Sequence, residues 1–399
     1  MQGGRDVGAT RPAPVRVAMI GQKGLPATIG GIERHVEEVG RRLADRGHNV
    51  VVYCRGSYGE GQDRAYLGMR LVRAPTIGTK HLDAIVHSAS STLMAMVGRA
   101  DVVHYHALGP GLCTPLPRFL SSSKVVLTVH GLDHEREKWG AGARAVLGGA
   151  YWISGRVPHQ TIVVSKYLAD HYAAEFTRPV EHIGNGVAAP DRIFDTAPLA
   201  AFGLRPRSYT LFVGRLVPEK QPHLLIDAFR RGAGPDEQLA IVGSSSLKDD
   251  FGRNLAMRAS GDPRIVFTGF AGGDTLAALY QHARVFVQPS DLEGLPLTLL
   301  EAIAHGCPVV ASDIPPHLEV LQEGSAIHRF FRQGDAAHLD AVLRGVSSLG
   351  ASGWNHPLRD RVLKDFSWES VTDRIEATYQ QVLGPRGTGP PPGGSRKRR

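Results

Sequence analysis

The stretch that decides the fold runs from residue 285 to residue 304, and it contains Val285-Phe286-Val287-Gln288-Pro289-Ser290 and then Glu293-Gly294-Leu295-Pro296-Leu297-Thr298-Leu299-Leu300-Glu301-Ala302. The apolar run predicts a buried strand, the following Gly and Pro predict a turn, and the Leu-rich segment predicts a helix. Glu293 therefore lies in a loop at the carboxyl end of a strand, and Glu301 lies in the first turns of the next helix. A ligand at this edge would meet a carboxylate at each end. The backbone N–H groups of the helix start, near Gly294 to Leu297, would also bind a phosphate oxygen.

The same strand, loop and helix pattern occurs upstream. Residues 209–213 predict a strand, which runs into Gly214-Arg215-Leu216-Val217-Pro218-Glu219-Lys220 and a helix over 223–230. Arg215 and Lys220 thus lie on a loop where ligands bind in open α/β sheets. Two fixed cations there would stabilise negative charge that develops on a phosphate. Composition alone equally allows a solvated surface pair.

Two segments of the first half have the same organisation. A strand over 15–20 leads through a glycine-containing loop to a helix over 32–39. The glycines at 21, 24, 30 and 31 do not form G-x-G-x-x-G, which disfavours a dinucleotide site. Gly30-Gly31 is compatible with a tight turn or with close approach of the backbone to a ligand. A second strand, over 124–129, ends at His130, which has the position of either a structural or a ligand-contacting histidine.

Taken together, these motifs resemble glycosyltransferase family 4, the retaining, nucleotide-sugar-dependent glycosyltransferases of the GT-B fold. The resemblance covers residues 15–383 and includes Ile183-Gly184-Asn185-Gly186-Val187. It implies two Rossmann-like parallel-sheet domains that face a central cleft, with a C-terminal helix that crosses back to the N-terminal domain. The chain departs from the family at Gln221, where a Gly often follows the lysine.

The resemblance also implies roles for particular residues. Glu293 and His130 would contact the donor sugar, Glu301 would bind the ribose, and Arg215 and Lys220 would bind the diphosphate. Further donor-binding positions implied in the same way are Gly30, Gly31, Gly294 and Leu295. Acceptor-side candidates are Asp133, Arg136 and Lys138, because H-G-L-x-x-x-R-x-K-W resembles a bacterial subgroup that transfers rhamnose or hexose to surface polysaccharides.

Strand-like and helical patterns alternate along the whole chain, which predicts two helix-covered parallel sheets. A chain of 399 residues exceeds one usual core, so we expect two domains. The expected boundaries are a flexible N-terminus over 1–14, an acceptor-side domain over 15–190, a linker near 190–206, a nucleotide-sugar domain over 191–365, a crossing helix over 366–383 and a disordered basic tail over 384–399.

The charge and the cysteines of the chain limit its possible partners and its location. The tail carries five of the cations behind the net charge of +8, and without them the charge is +3. Such a tail is compatible with an idle solubilising terminus or with a contact to anionic lipid. Nucleic acid is disfavoured, because no recognition motif accompanies the charge. The three cysteines lie in unrelated segments, and no apolar run has membrane-spanning length, which together favour a cytoplasmic protein. If the tail binds lipid, the protein would be peripheral at the inner face of the membrane.

The sequence gives no reason to expect a metal or a cofactor, and the nucleoside diphosphate sugar that the resemblance implies is a donor substrate. It has no D-x-D motif, and its His and Cys residues do not cluster along the chain. The expected acceptor is a carbohydrate or a lipid-linked molecule. Two other classes stay open: a GT-B epimerase or phosphorylase, and a membrane-binding protein without enzymatic activity.

Overall fold

The structure is a computed structural model that describes residues 13–28, 30–56, 58, 64–77, 83–135, 140–244, 250–321, 327–348 and 354–385. The predicted flexible N-terminus up to residue 12 and the predicted basic tail from residue 386 lie outside these ranges. The acceptor-side candidates Arg136 and Lys138 also lie outside them.

The first half of the chain builds a sheet whose described strands lie in the order β3-β4-β2-β1-β5-β6-β7-β8. All neighbours are parallel except β3 and β4, which are antiparallel. Its strands are β1 (Arg16–Ile20), β2 (Asn49–Arg55), β3 (Ala65–Tyr66), β4 (Met69–Ala74), β5 (Val102–His106), β6 (Lys124–Val129), β7 (Gln160–Val163) and β8 (Glu181–His182). Its helices are α1 (Gly31–Asp45), α2 (Asp83–Val97), α3 (Leu108–Gly111), α4 (Pro115–Leu120), α5 (Ala141–Ser154) and α6 (Lys166–Glu175).

The second half builds a parallel sheet in the order β11-β10-β9-β12-β13-β14. Its strands are β9 (Tyr209–Val213), β10 (Gln238–Val242), β11 (Ile265–Gly269), β12 (Val285–Gln288), β13 (Val309–Ser312) and β14 (His328–Phe331). The helices that follow the first sheet are α7 (Ala197–Ala200), α8 (Pro222–Gly232), α9 (Asp250–Ala259), α10 (Gly273–His282), α11 (Leu297–Ala304), α12 (Pro315–Leu321), α13 (Ala336–Arg344), α14 (Pro357–Asp365) and α15 (Trp368–Leu383).

The central strands form because continuous apolar runs can be buried on both faces of a helix-covered sheet. Every residue of β5, β9, β12 and β13 is buried. The helices cover them with one apolar face each, as α1 does with Val36, Val39 and Leu43. The loops at the carboxyl ends of both sheets face each other, which places a cleft between the two halves.

The last helix crosses back onto the first half, as predicted. Ser367 caps α15, since its hydroxyl accepts from the backbone N–H of Ser370 at 3.2 Å. The apolar face of α15, which includes Trp368 and Ile375, packs in one cluster with the apolar face of α1. Two arginines fix the contact. Arg42 of α1 donates through Nε to Glu369 at 2.6 Å, and Arg46, the residue after α1, donates through Nη1 to Glu376 at 2.7 Å.

The sequence patterns located most strands of both sheets but missed four that lie at or next to a sheet edge. β3, β4, β8 and β14 were not predicted, and β4 alternates buried and exposed residues, with Arg70 and Arg73 exposed. The predicted linker lies in the stretch between β8 and β9, where α7 is the regular element. Gln281 of α10 holds this stretch, since it accepts from the N–H of Ile193 at 2.7 Å. In the described part of the chain, no helix has the length and apolar character required to cross a bilayer.

Candidate active site

A cleft of about 420 Å³ lies between the two halves, a volume within the usual range of small-ligand sites. The first half contributes the loop before α1 and its first turn. The second half contributes the loops after β9, β10 and β11 and the start of α11. Five of the residues predicted from the sequence line this cleft: Gly30, Gly31, Arg215, Lys220 and Glu301.

Glycines bring the second-half loops close together. Gly243 follows β10 at a φ of 145°, and a Cβ there would lie 1.9 Å from the carbonyl oxygen of Gly214. Any other residue would therefore separate the loop after β9 from the loop after β10. Across the cleft, Gly30 caps α1 at a φ of 113°, and a Cβ there would lie 2.2 Å from the Glu33 carboxylate. Glycine at these two positions thus permits close packing next to the cleft.

Lys220 and Glu293 form a buried ion pair beside the cleft. Nζ of Lys220 donates to Oε1 of Glu293 at 2.6 Å, and the side chains are 14% and 10% exposed. Gln288 Nε2 donates to the same carboxylate oxygen at 3.0 Å. Burial opposes ionisation of Glu293, but the charge and hydrogen bond of Lys220, with a hydrogen bond from Ser290, outweigh it and lower the pKa of Glu293. Glu293 is therefore a carboxylate, and its position depends on Lys220.

Arg215 differs from Lys220 in its surroundings. It lines the cleft and forms no ion pair with any residue that the structure describes. Its guanidinium is consequently available to a bound anion. Arg34, on the first turn of α1, lines the opposite wall and pairs with Glu38 of its own helix at 2.9 Å.

Glu301, on α11, lines the cleft. Burial raises its pKa to about 7, against the opposing charge of Arg34 and a hydrogen bond from Tyr280. The Tyr280 hydroxyl donates to Oε2 of Glu301 at 3.2 Å, and the Tyr280 ring stacks on His305 with centroids 5.3 Å apart. The two carboxylates of the motif are thus held differently, one ionised by a lysine and one near its titration point at neutral pH.

Gly294 and Leu295 do not line the cleft, although the sequence predicted them to bind the donor. A Cβ on Gly294 would lie 2.0 Å from the carbonyl oxygen of His130, so the loop packs directly against the first half. The carbonyl of Leu295 accepts from Asn185 Nδ2 at 2.7 Å, and its side chain is 4% exposed. These contacts pack both residues against the first half, and their predicted role in donor binding stays a prediction.

His130 belongs to a cluster of histidines in the first half. Its Nε2 lies 3.4 Å from Nδ1 of His106, and its ring centroid lies 5.0 Å from that of His35. His104 lies beside them, with its ring 4.3 Å from that of His106 and its Nδ1 2.7 Å from the Tyr379 hydroxyl of α15. Burial lowers the pKa of every member of the cluster, so the imidazoles are neutral. Spacing along the chain gave no sign of this cluster, because its members come from different elements.

Asp133 lies in a 3₁₀ turn over Asp133–Glu135, just after His130 and β6. It does not line the cleft described above. The polar segment predicted to bind the acceptor is therefore described in part, since Arg136 and Lys138 fall in its undescribed portion.

Several cleft residues were not predicted from the sequence. They lie on loops and in the first turns of α10 and α11, and they are Ala27, Thr28, Ser244, Phe270, Gly272, Gly273, Leu276 and Thr298. The available signal was positional, since the loops after β10 and β11 each follow a parallel strand. Arg34 was also missed, and its spacing of three residues from Gly31 puts it on the same face of the first turn.

Comparison with known proteins identifies the class. Residues 29–189 match the family described as Glycosyltransferase Family 4, and residues 204–348 match Glycosyl transferases group 1. The chain is 30% identical over 346 residues to the GDP-mannose-dependent alpha-(1-6)-phosphatidylinositol monomannoside mannosyltransferase of Mycolicibacterium smegmatis, a match that covers 82% of this chain and 87% of that protein. The protein therefore belongs to glycosyltransferase family 4 and is a glycosyltransferase, as the sequence motifs predicted.

Solved structures share the fold over nearly the whole chain. Sucrose-phosphate synthase from Thermosynechococcus elongatus has a TM-score of 0.77 at 21% identity and covers 92% of this chain and 98% of its own. Anabaena HepE, solved in complex with UDP-glucose, has a TM-score of 0.73 at 16% identity and covers 91% of this chain and 99% of its own. The predicted GT-B fold is confirmed. The narrower resemblance to a rhamnose-transferring subgroup stays a prediction.

Proposed function

We propose that this glycosyltransferase moves a hexosyl or deoxyhexosyl group from a nucleoside diphosphate sugar to an acceptor hydroxyl, with retention of the anomeric configuration. The observation that carries the proposal is the cleft itself. It brings the start of α1 at Gly31, the cations Arg215 and Lys220 and the carboxylate of Glu301 onto one surface. The helix start and the two cations suit the diphosphate of a nucleotide sugar, and the carboxylate suits its ribose.

The diphosphate would lie against Arg215 and Lys220, opposite the start of α1. Negative charge builds on the leaving diphosphate as the bond to the sugar breaks, and fixed cations stabilise it. The N-terminal end of α1 adds partial positive charge, since α1 has 15 residues and a glycine cap whose backbone can approach an anion. These groups supply the positive charge that a divalent cation supplies in other transferases, so we propose metal-independent transfer.

The nucleoside would lie toward Glu301 and the loop after β11. The Glu301 carboxylate would accept hydrogen bonds from the ribose hydroxyls, with Tyr280 fixing its second oxygen. Phe270, which is 59% exposed and lines the cleft, offers a ring on which a base can stack.

The donor sugar would lie between Glu293 and His130. These residues approach each other because Gly294 packs against the His130 carbonyl. Glu293 already holds Lys220, so a diphosphate oxygen could bind the remaining N–H groups of Lys220 without breaking the ion pair. The carboxylate would then orient the lysine and accept a hydrogen bond from a sugar hydroxyl.

The acceptor is proposed to be a carbohydrate or lipid-linked molecule of a cell-surface polysaccharide or glycoconjugate. The surface of the first half supports a membrane location, since Phe119, Leu120 and Trp152 are 69%, 70% and 53% exposed. Two of these residues carry an arginine over the ring, since the guanidinium of Arg118 lies 5.7 Å from the ring centroid of Phe119 and that of Arg156 lies 4.6 Å from the ring centroid of Trp152. Exposed rings among cations are typical of surfaces that bind anionic lipid. The basic tail would add to this attraction.

The test is a panel of nucleotide sugars, including GDP-mannose and UDP-glucose, with release of the nucleoside diphosphate as the readout. The M. smegmatis relative makes GDP-mannose the first donor to try. Arg215→Met should lower turnover, whereas the matched control Arg253→Ala, at a side chain 55% exposed on α9, should not. Release without added phosphate excludes a phosphorylase, and a new glycoside rather than an epimerised donor excludes an epimerase. Lack of release with every donor, or equal turnover of both variants, would contradict the proposal.

A further inference from the structure

The histidine cluster of the first half has the composition of a metal site. One ring nitrogen each of His35, His106 and His130 lies within 4.8 Å of the others. The three side chains come from α1, the end of β5 and the residue after β6, which are rigid elements of one domain. His35 and His106 are 1% and 0% exposed. A site on such elements is preorganised, because its ligands do not depend on mobile loops.

The hydrogen bonds around His35 fix its tautomer. The carbonyl of Leu295 can only accept, so the Asn185 atom that contacts it at 2.7 Å must be the donor Nδ2. The other amide atom, Oδ1, therefore faces Nδ1 of His35 at 3.1 Å, and Nδ1 must donate to it. Nε2 of His35 then carries a lone pair, and this buried atom has no hydrogen-bond partner among the described residues. Metal-binding histidines are held in this way, with one nitrogen bonded to an outer acceptor and the other free for the metal.

The spacing between His106 and His130 suits tetrahedral coordination. Nδ1 of His106 and Nε2 of His130 are 3.4 Å apart. Two nitrogens at the usual Zn–N distance of about 2.0–2.1 Å in a tetrahedron are separated by about 3.3–3.4 Å. A neutral imidazole has one lone pair, so metal binding through Nδ1 of His106 places the proton of that ring on Nε2, a buried atom without a partner in the described part of the chain. The lone pair of His35 Nε2 is thus buried and used by no described residue.

We propose that His35, His106 and His130 bind a divalent transition metal, best represented by Zn²⁺, through three imidazoles with a fourth position open. Imidazole ligands suit zinc and its neighbours, whereas Mg²⁺ and Ca²⁺ require oxygen ligands. The metal is not the diphosphate-binding ion that other transferases use, because the cluster lies outside the cleft lined by Arg215 and Lys220.

Binding of the metal inhibits transfer, and this part of the inference depends on the proposed function. His130 is the residue assigned to the donor sugar, and its carbonyl contacts the loop that carries Glu293. A metal on the His130 ring removes its nitrogen from the sugar and places a cation with an open position beside it. The sugar and the metal therefore compete.

The binding test titrates the metal-free protein with Zn²⁺ against a chromophoric chelator, and separately with Co²⁺, whose visible absorption is strong in tetrahedral sites. We expect one tight site per chain. His35→Ala and Asn185→Ala should each weaken it by at least about tenfold, the lower limit for loss of a ligand or of its outer partner. The matched control His171→Ala, on α6 outside the cluster, should bind like the wild type.

Two measurements keep the test decisive. Unchanged unfolding temperature and nucleoside diphosphate affinity show that a variant is folded, and His106→Gln replaces His35→Ala if the latter is not. Equal Zn²⁺ affinity of the wild type and a folded cluster variant overturns the site. If Zn²⁺ binds but causes no inhibition of transfer that EDTA can reverse, the inhibitory role is overturned. Failure to find any transfer activity contradicts the proposed function instead, because the binding titration does not require turnover.

Discussion

Replacement of Lys220 by Met should destabilise the protein as well as reduce transfer, and this double effect follows from the ion pair with Glu293. The substitution keeps the volume of the side chain but leaves a carboxylate that is 10% exposed without its cation. Loss of one partner of a buried pair costs about 3–5 kcal/mol, and we expect about 3 kcal/mol because both side chains retain some exposure. In a domain of this size, that corresponds to a decrease in Tm of about 6–12 °C.

Two variants separate the ion pair from the loss of positive charge. Lys220→Met combined with Glu293→Gln removes both charges, and its Tm should recover most of the way to the wild-type value. Arg215→Met removes a cleft cation that has no described ion-pair partner, so its free energy of unfolding should stay within about 0.5 kcal/mol of the wild-type value. Both variants should have low sugar-transfer activity, since each lacks a cation assigned to the diphosphate.

The decrease in stability caused by Lys220→Met should also depend on pH. In the wild type the pKa of Glu293 is lowered, so the stability that the pair contributes is present at neutral pH and is lost as pH falls through that lowered pKa. In the variant, burial without Lys220 raises the pKa of Glu293, and protonation relieves the unpaired charge. Thermal unfolding of both proteins at pH 7 and pH 5 should therefore show a smaller difference at pH 5. An equal difference at both pH values, or a double variant as unstable as Lys220→Met, would refute the reasoning.

Four further outcomes are expected. Arg215→Met should lower kcat by about 10²-fold or more with a smaller change in donor KM, measured by steady-state diphosphate release; a change confined to KM would contradict a role in bond cleavage. Since burial raises the pKa of Glu301 to about 7, the Kd for a nucleoside diphosphate should rise as pH falls from 8 to 6. Glu301→Gln should bind the nucleoside diphosphate more weakly and lose this part of the pH dependence in calorimetric titrations. Parallel pH profiles of the wild type and the variant would count against the role of Glu301. EDTA should leave transfer intact or raise it, whereas a complete loss that magnesium reverses would show that a divalent ion is required. Truncation after Leu383 should weaken sedimentation with anionic vesicles at low salt and leave donor hydrolysis unchanged; equal sedimentation would remove the tail from membrane binding.

The sequence predicted the central strands well because burial on both faces leaves a continuous apolar run. The segments around Val285 and Tyr209 illustrate this, since each gave a strand within one residue of its observed bounds. β14 lies at a sheet edge and β4 lies one strand in from an edge, and both carry exposed arginines that interrupt the apolar run, so they lacked the signal. Arg215, Lys220 and Glu301 of the cleft were also predictable, because each follows a strand in a motif with fixed spacing, whereas Arg34 of α1 has no such motif and was missed.

Contacts between distant segments could not be predicted from spacing along the chain. The histidine cluster requires α1, β5 and β6 to be side by side, and the bond from Asn185 to Leu295 joins residues 110 positions apart. The environment of a carboxylate is equally a product of the fold. Glu293 and Glu301 look alike in the sequence, but one meets a lysine and the other meets a tyrosine hydroxyl and apolar surroundings.

The loop that carries Glu293 connects donor binding to the arrangement of the two halves. On one side its carboxylate holds Lys220, which lines the cleft. On the other side the next residue, Gly294, lies against the carbonyl of His130 with no room for a side chain. Asn185 then fixes the loop through the Leu295 carbonyl and, with its other amide atom, fixes His35 of the histidine cluster. A change in the distance between the halves must therefore move Glu293, and with it the lysine assigned to the diphosphate. Because these contacts are short and directional, the donor site is complete when the two halves are held as they are here, with α15 packed against α1.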